Sequence, residues 1–100
     1  MIADTFIEDN KATIKVEGEL NALTASDLQD VVNELSENIV DIDIDLSDTT
    51  YVSSAGIRVF VGASKLSESR DGKFRVLHPQ EDVYDVFQMT GLDEAFIVVM

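Results

Sequence analysis

The sequence predicts an α/β fold: a single domain with a mixed, mostly parallel β-sheet and crossover helices packed on it. β-Prone segments alternate along the chain with segments of helical periodicity, a pattern typical of strands joined by crossover helices. The chain has 100 residues, of which 45% are hydrophobic, which suffices for one core and leaves little room for a second. We therefore expect residues 1–100 to form one domain.

Three strands are predicted in the first half of the chain. Residues 5–8 and 11–17 are short β-prone runs on either side of a turn. Residues 40–46 alternate strictly, with apolar side chains on one face and aspartates on the other. This alternation indicates a strand with one buried face, and it assigns Asp41 and Asp43 to the wet face.

Two helices are predicted beside these strands. Thr24 is placed to cap the first helix, and Leu23 and Leu28 are spaced for an apolar contact across its first turn. The second helix is predicted from about residue 54 to residue 69, because apolar residues recur there at helical spacing.

The last third of the chain is predicted to hold a strand at 74–77 and a third helix that has Pro79 in its first position. Gly91 is expected to end that helix. The segment 96–99 is compatible with a last strand and also with the end of a terminal helix, and both alternatives stay open.

The charge of the chain restricts its partners. Seven basic residues stand against 20 acidic ones, which gives a net charge of −13. A surface this negative repels nucleic-acid phosphates and anionic lipid headgroups, so neither nucleic acid nor direct membrane insertion is expected. No apolar stretch approaches the roughly 20 residues that span a bilayer, and the N-terminus lacks the pattern of a signal peptide. These features predict a cytoplasmic protein whose partners have a basic or apolar docking face.

The most informative segment joins the third strand to the second helix. Ser53, Ser54 and Gly56 come directly before and at the start of the helical pattern. A serine hydroxyl is thereby placed at a helix N-terminus, where unpaired N–H groups and the helix dipole favour an anion. Serine is also among the preferred helix caps, so Ser54 is either a phosphate acceptor or a cap.

This segment is part of a longer resemblance. The runs 17–20, 45–47, 51–58 and 90–92, and the order of the predicted elements, resemble the STAS domain of bacterial anti-sigma factor antagonists. The resemblance covers nearly the whole chain. It implies the STAS fold and a partner-switching role, in which the protein binds an anti-sigma factor serine kinase, a histidine-kinase-like ATPase, and so regulates sigma-factor-dependent transcription.

The resemblance also implies roles for individual residues. Ser54 corresponds to the serine that the kinase phosphorylates, which ends the capture of the kinase, and a serine phosphatase is expected as a further partner. Many members of the family carry aspartate where this chain has Ser53 and Asn21. The residues expected to bind the partner or support the phosphate site are Asn21, Asp45, Thr49, Ser53, Ala55, Gly56, Ile57 and Arg58.

Several of these residues have a second interpretation. Gly56 either permits close helix–sheet packing or admits a loop of the kinase, and Arg58 is either a solvated charge or a ligand of the phosphate. We expect the third strand to end at residue 46 and a polar loop to follow it. Asp45, next to that loop, is the one strand aspartate that we expect near Ser54. Alternate strand residues lie about 6.5–7 Å apart, and the chain has one histidine, so neither a metal site nor a cofactor is predicted.

Two other functions remain open at this point. A STAS-like subunit could scaffold another assembly, such as a lipid-transport complex or a stressosome-like particle, without any phosphorylation. A serine hydrolase is less favoured, because its nucleophile elbow requires glycine where this chain has Val52, and the base would have to be His78. The prediction is therefore a binding protein, not an enzyme.

Overall fold

A computed structural model describes the backbone of residues 2–100 and the side chains of residues 3–100. It confirms the α/β fold with a mixed, mostly parallel sheet. The elements, in chain order, are β1 (Ile2–Glu8), β2 (Lys11–Leu20), α1 (Ala22–Asn33), β3 (Asp41–Val52), α2 (Ser54–Ser69), β4 (Phe74–Leu77), α3 (Glu81–Thr90), α4 (Leu92–Ala95) and β5 (Ile97–Val99).

The strands lie in the sheet in their chain order, β1-β2-β3-β4-β5. The pair β1–β2 is antiparallel, and the three other pairs are parallel. Each parallel connection advances by one strand in the same direction, so right-handed crossovers place the helices on one face of the sheet. The core lies under that face and includes Ile14, Val16, Leu28, Ile42, Ile44, Phe60, Val76 and Phe87.

The third strand is longer than the alternation predicts. It begins near the predicted start but runs to Val52, and Leu20 of β2 pairs with Val52 at its end. The polar residues 47–51, expected as a loop, therefore continue the strand. Partners on β2 stabilise this extension, since the buried Thr49 hydroxyl donates a hydrogen bond to the Val16 carbonyl at 2.7 Å.

The predicted wet face of β3 is wrong at Asp43, which is only 1% exposed. Cations on the two neighbouring strands cover this carboxylate: Arg75 donates to it from Nε at 2.9 Å, and Lys11 Nζ lies 2.9 Å away. Burial by itself would raise the pKa of Asp43, but the hydrogen bonds from Arg75 and Lys11 outweigh it and hold that pKa below its ordinary value.

The cap of α1 differs from the prediction. Asn21 is the N-cap, and its Oδ1 accepts from the backbone N–H groups of Leu23 and Thr24, both at 3.0 Å. Thr24 is the third helical residue and completes a capping box by accepting from the Asn21 N–H at 2.8 Å. The contact predicted between Leu23 and Leu28 is also wrong, because Leu23 is 79% exposed while Leu28 is buried.

The end of the chain resolves the open alternatives. Pro79 does not occupy the first position of α3, because the helix begins two residues later, after the N-cap Gln80. Gly91 ends α3 in the left-handed region with φ of 76°, as predicted. Residues 97–99 form a short strand parallel to β4, which decides the alternatives for 96–99. Among residues 2–100, no helix has the length and apolarity that crossing a bilayer requires.

Candidate functional site

Two helix N-termini meet at one edge of the sheet. The parallel strands β2 and β3 end side by side at Leu20 and Val52, and each is followed at once by a helix cap, Asn21 on α1 and Ser53 on α2. The Ser53 N–H donates to the Leu20 carbonyl at 2.8 Å and ties the two ends together. Since the positive ends of both helix dipoles open here, this edge favours a negative charge.

Ser53 and Ser54 have different roles at the start of α2. Ser53 is the N-cap: it is half-buried, and its Oγ accepts from the Gly56 N–H at 3.3 Å. Ser54 is the first helical residue, is exposed, and its hydroxyl makes no hydrogen bond to another of the described residues. The cap interpretation therefore applies to Ser53, and the hydroxyl of Ser54 stays accessible.

The first turn of α2 is electrostatically suited to an anion. It contains no acidic side chain, and the backbone N–H groups of Ser54 and Ala55, at the first two helical positions, lack partners within the helix. Arg58 is exposed and follows Ser54 by four residues, so both side chains lie on one face of the helix. Helical side chains tilt toward the N-terminus, which directs Arg58 toward Ser54.

Gly56 is buried where α2 crosses the ends of the two strands. A Cβ atom at this position would lie 2.7 Å from Leu20 Cδ2 and 3.2 Å from Val52 Cγ1. The structure thus supports the close-packing interpretation of Gly56. The side chains of Ala55 and Ile57 are half-buried and pack against the core, so these residues hold the helix N-terminus in place.

The hydroxyls near Ser54 differ in accessibility. The Thr49 side chain is fully buried and its hydroxyl is engaged with β2, so Thr49 supports the sheet and does not face the site. Thr50 is exposed. Among the neighbouring serine and threonine hydroxyls, those of Ser54 and Thr50 are the exposed ones.

Asp45 lies away from Ser54, so the expectation that placed it there is wrong. Asp45 pairs with Lys15, whereas the end of β3 pairs with Leu20, five residues further along β2. At about 3.3 Å per residue, the two positions are about 16 Å apart along the strands. The Asp45 carboxylate instead accepts from the Ser47 N–H at 3.0 Å. The error follows from treating residues 47–51 as a loop.

Two exposed side chains close in sequence to the helix caps were missed by sequence reasoning. Leu23 is 79% exposed two residues after the cap of α1, and Tyr51 is 51% exposed three residues before Ser54. Leu23 had been assigned to a contact within its own helix. The available signal was Asn21, since asparagine is among the preferred helix caps and a cap there places Leu23 in the first turn of α1.

No catalytic pair forms around Ser54 within residues 2–100. His78 follows Leu77, which pairs with Asp45, so the histidine lies at the Asp45 level of the sheet. Its ring Nδ1 lies 3.3 Å from the Met100 carbonyl oxygen. This separation counts against the hydrolase alternative. The same residues contain no group of three or more acidic, histidine or cysteine side chains that could hold a metal ion.

Comparison with known proteins identifies the family. The family model for the STAS domain matches residues 3–99. The chain belongs to the STAS domain family. This confirms the resemblance stated from the sequence.

Relatives of this STAS domain share most of its length. An anti-sigma-B factor antagonist of Staphylococcus epidermidis is 29% identical over 92 residues, which cover 91% of this chain and 85% of that protein. A Thermotoga maritima protein described as an anti-sigma factor antagonist is 26% identical, with a TM-score of 0.90 over 98% of this chain and 86% of its own. The phosphorylated form of Bacillus SpoIIAA gives a TM-score of 0.78 at 17% identity, over 99% of this chain and 92% of its own, which shows a shared fold.

Proposed function

We propose that this STAS domain is an anti-sigma factor antagonist that binds an anti-sigma factor serine kinase and loses that binding when Ser54 is phosphorylated. One observation carries the proposal: the hydroxyl of Ser54 is exposed at the N-terminus of α2, because Ser53 and not Ser54 caps that helix. The relatives named as anti-sigma factor antagonists support the first half. The existence of SpoIIAA in unphosphorylated and phosphorylated forms supports the second.

The fold can accept a phosphate on Ser54 without rearranging. Phosphorylation adds about −1.5 to −2 charges and three acceptor oxygens. The free N–H groups of the first turn and the dipole of α2 stabilise that charge, and Arg58 on the same helix face adds a cation.

The same charge opposes binding of the kinase. The side chains of Leu23 and Tyr51, which lie close in sequence to the two helix caps, are exposed and supply apolar area for docking. A phosphate on Ser54 would be desolvated in the complex, opposite the acidic or nucleotide-phosphate groups of a kinase. Leaving a buried charge unpaired costs several kcal/mol of binding free energy, and each 1.4 kcal/mol is about a tenfold loss of affinity.

This mechanism assigns the chemistry to the partners. The kinase, a histidine-kinase-like ATPase, brings the ATP, and a serine phosphatase restores the capturing form. The STAS domain itself is a binding protein without a cofactor, and it acts in the cytoplasm on sigma-factor-dependent transcription. The net charge of −13 favours a kinase with a basic or apolar docking face.

The test begins with the partner and ends with the site. The tagged protein is purified from its source organism, and the co-purifying kinase is incubated with it and ATP before the modified residue is mapped by mass spectrometry. We expect Ser54→Ala to abolish modification and Thr50→Ala, which removes an exposed threonine hydroxyl nearby, to leave it unchanged. Full modification of Ser54→Ala would overturn the assignment. Co-purification of transport or stressosome-like subunits without a kinase would favour the scaffold alternative.

A further inference from the structure

The strand β1 forms an open edge of the sheet. It pairs with β2 alone among the described residues, and its seven residues, Ile2–Glu8, leave one row of backbone N–H and C=O groups without a strand partner. Residues 4–8 are all exposed, and Phe6 is 61% and Ile7 is 55% accessible. An open strand edge of this length is a template for a further strand.

The carboxylates of β1 lack the cations that the register would supply. Asp4 lies opposite Lys15, and Glu8 lies opposite Lys11. Both lysines are drawn to the other side, Lys15 to Asp48 at 3.1 Å and Lys11 to the buried Asp43 at 2.9 Å. Asp4 and Glu8 therefore form no ion pair with another described residue, and an incoming cation would meet two free carboxylates.

An apolar groove lies beside the opposite face of the same strand. It has a volume of about 380 Å³ and runs between β1 and the C-terminal end of α1. Its apolar lining consists of Ile7, Val31, Leu35 and Ile39, and Glu34 stands among the polar lining residues. Successive strand residues point to opposite faces, so the groove adjoins the Ile7 side and the free carboxylates lie on the other side.

We propose that β1 binds an extended segment of a partner protein in which basic residues alternate with apolar ones, added to the sheet as a further strand. The backbone of the segment pairs with the open edge, its lysine or arginine side chains face Asp4 and Glu8, and its apolar side chains cover the groove. The surface is distinct from the Ser54 site, which lies at the ends of β2 and β3, and the proposal does not depend on the function proposed for that site.

A second copy of this chain is a poor occupant of the edge. Two copies would each carry a charge of −13 and would bring four unpaired carboxylates of two β1 strands to one seam. Like charges on adjacent strands are destabilising, and charged side chains on an edge strand discourage self-association. Charge complementarity therefore selects a basic partner.

The probe is a blocked seven-residue peptide in which lysine and valine alternate. We expect it to shift amide NMR signals of residues 3–8 and 31–39. A peptide with glutamate in place of lysine should not bind, and a lysine–valine peptide with proline at its centre should lose binding, because proline removes the backbone donor and disrupts the strand. Equal binding of the proline peptide, or shifts confined to other residues, would overturn the proposal.

A charge-matched pair of variants separates this contact from general attraction. Asp4→Lys with Glu8→Lys changes the net charge from −13 to −9, and Glu68→Lys with Asp85→Lys on exposed helix positions makes the same change. We expect the first pair to lower affinity for the peptide by about tenfold or more, and the second by less than about threefold. Equal losses in both would overturn the proposal, as would sedimentation showing a dimer of the unmodified protein that Asp4→Lys alters.

Discussion

The contact between α2 and the strand ends is tested by placing a methyl group at Gly56. The Cβ atom of Gly56→Ala would lie 2.7 Å from Leu20 Cδ2 and 2.8 Å from Leu20 Cγ. Leu20 is fully buried, so it cannot move aside into solvent, and Val52 closes the other side at 3.2 Å. The substitution must displace Leu20 within the core or lift the start of α2.

Two effects of opposite sign determine how much Gly56→Ala changes the free energy of unfolding. Replacing a helical glycine by alanine stabilises the folded state by about 0.5–1 kcal/mol, whereas overpacking a filled core costs about 1–3 kcal/mol. We expect a net loss of about 1–2 kcal/mol for Gly56→Ala. Gly62 provides the matched control, since it lies in the same helix, is exposed, and has Gln29 Oε1 as its nearest neighbour at 4.0 Å. Gly62→Ala should therefore stabilise by about 0.5–1 kcal/mol.

Thermal unfolding followed by circular dichroism separates the two variants. In a domain of this size a change of 1 kcal/mol shifts Tm by about 4–8 °C, so the two midpoints should differ by on the order of 10 °C. Gly56→Ala should melt below the unmodified protein and Gly62→Ala above it. If Gly56→Ala were as stable as Gly62→Ala, the close contact with Leu20 would not exist, and the assigned role of Gly56 would be refuted.

Three further outcomes follow from the site and the sheet. The pKa of Asp43 is held below its unfolded value, so its ionised form stabilises the fold above about pH 4, and this contribution is lost as pH falls through the folded pKa. Asp43→Asn should therefore lower the stability to urea at pH 7 and differ less from the unmodified protein near pH 3. A stability difference that does not depend on pH would contradict this. Ser53→Asp should preserve the helix cap but place a carboxylate beside Ser54, so the kinase reaction should yield less phosphoprotein at unchanged Tm, and an unchanged yield would exclude a charge effect. Leu23→Ser should weaken kinase binding measured by calorimetry without lowering Tm, because the side chain is 79% exposed, and unchanged affinity would remove Leu23 from the docking surface.

Local periodicity was sufficient for part of the fold. The bounds of α2 and β4 agree with the predicted 54–69 and 74–77, because helical spacing, a serine cap and a short β-prone run are properties of neighbouring residues. Gly91 ends α3 for the same reason, since a positive φ strongly favours glycine.

Contacts between strands determined what the sequence could not supply. The short strand β5 exists through its pairing with β4, and the polar end of β3 exists through its pairing with β2. Asp43 has the same sequence surroundings as Asp41 and Asp45, yet it is the one that Arg75 and Lys11 bury. Which of the three aspartates is buried depends on the register of the strands, and that register involves residues about 30 positions away in the chain.

At the candidate site, too, local sequence predicted one part, and the backbone geometry determined the rest. The motif predicted that a serine would lie at a helix N-terminus, but the assignment of the cap to Ser53 and the first helical position to Ser54 depends on one extended residue in the backbone. That difference determines the chemistry, because a capping hydroxyl already accepts a hydrogen bond, whereas the next one is exposed. The prediction that Asp45 lies near Ser54 was wrong because it depended on the length of β3.

Under the function proposed for Ser54, the geometry around it favours a switch that acts on the partner and not on the fold. Gly56 is packed against Leu20 and Val52, and the Ser53 backbone is bonded to Leu20, so the start of α2 is anchored to the sheet from two directions. An added phosphate meets stabilising N–H groups on its own helix, which removes any gain from moving that helix. The change in affinity for the kinase that we propose is then an effect of the charge itself at the docking surface. In a STAS domain built this way, the proposed phosphate can act without a second conformation of the protein that carries it.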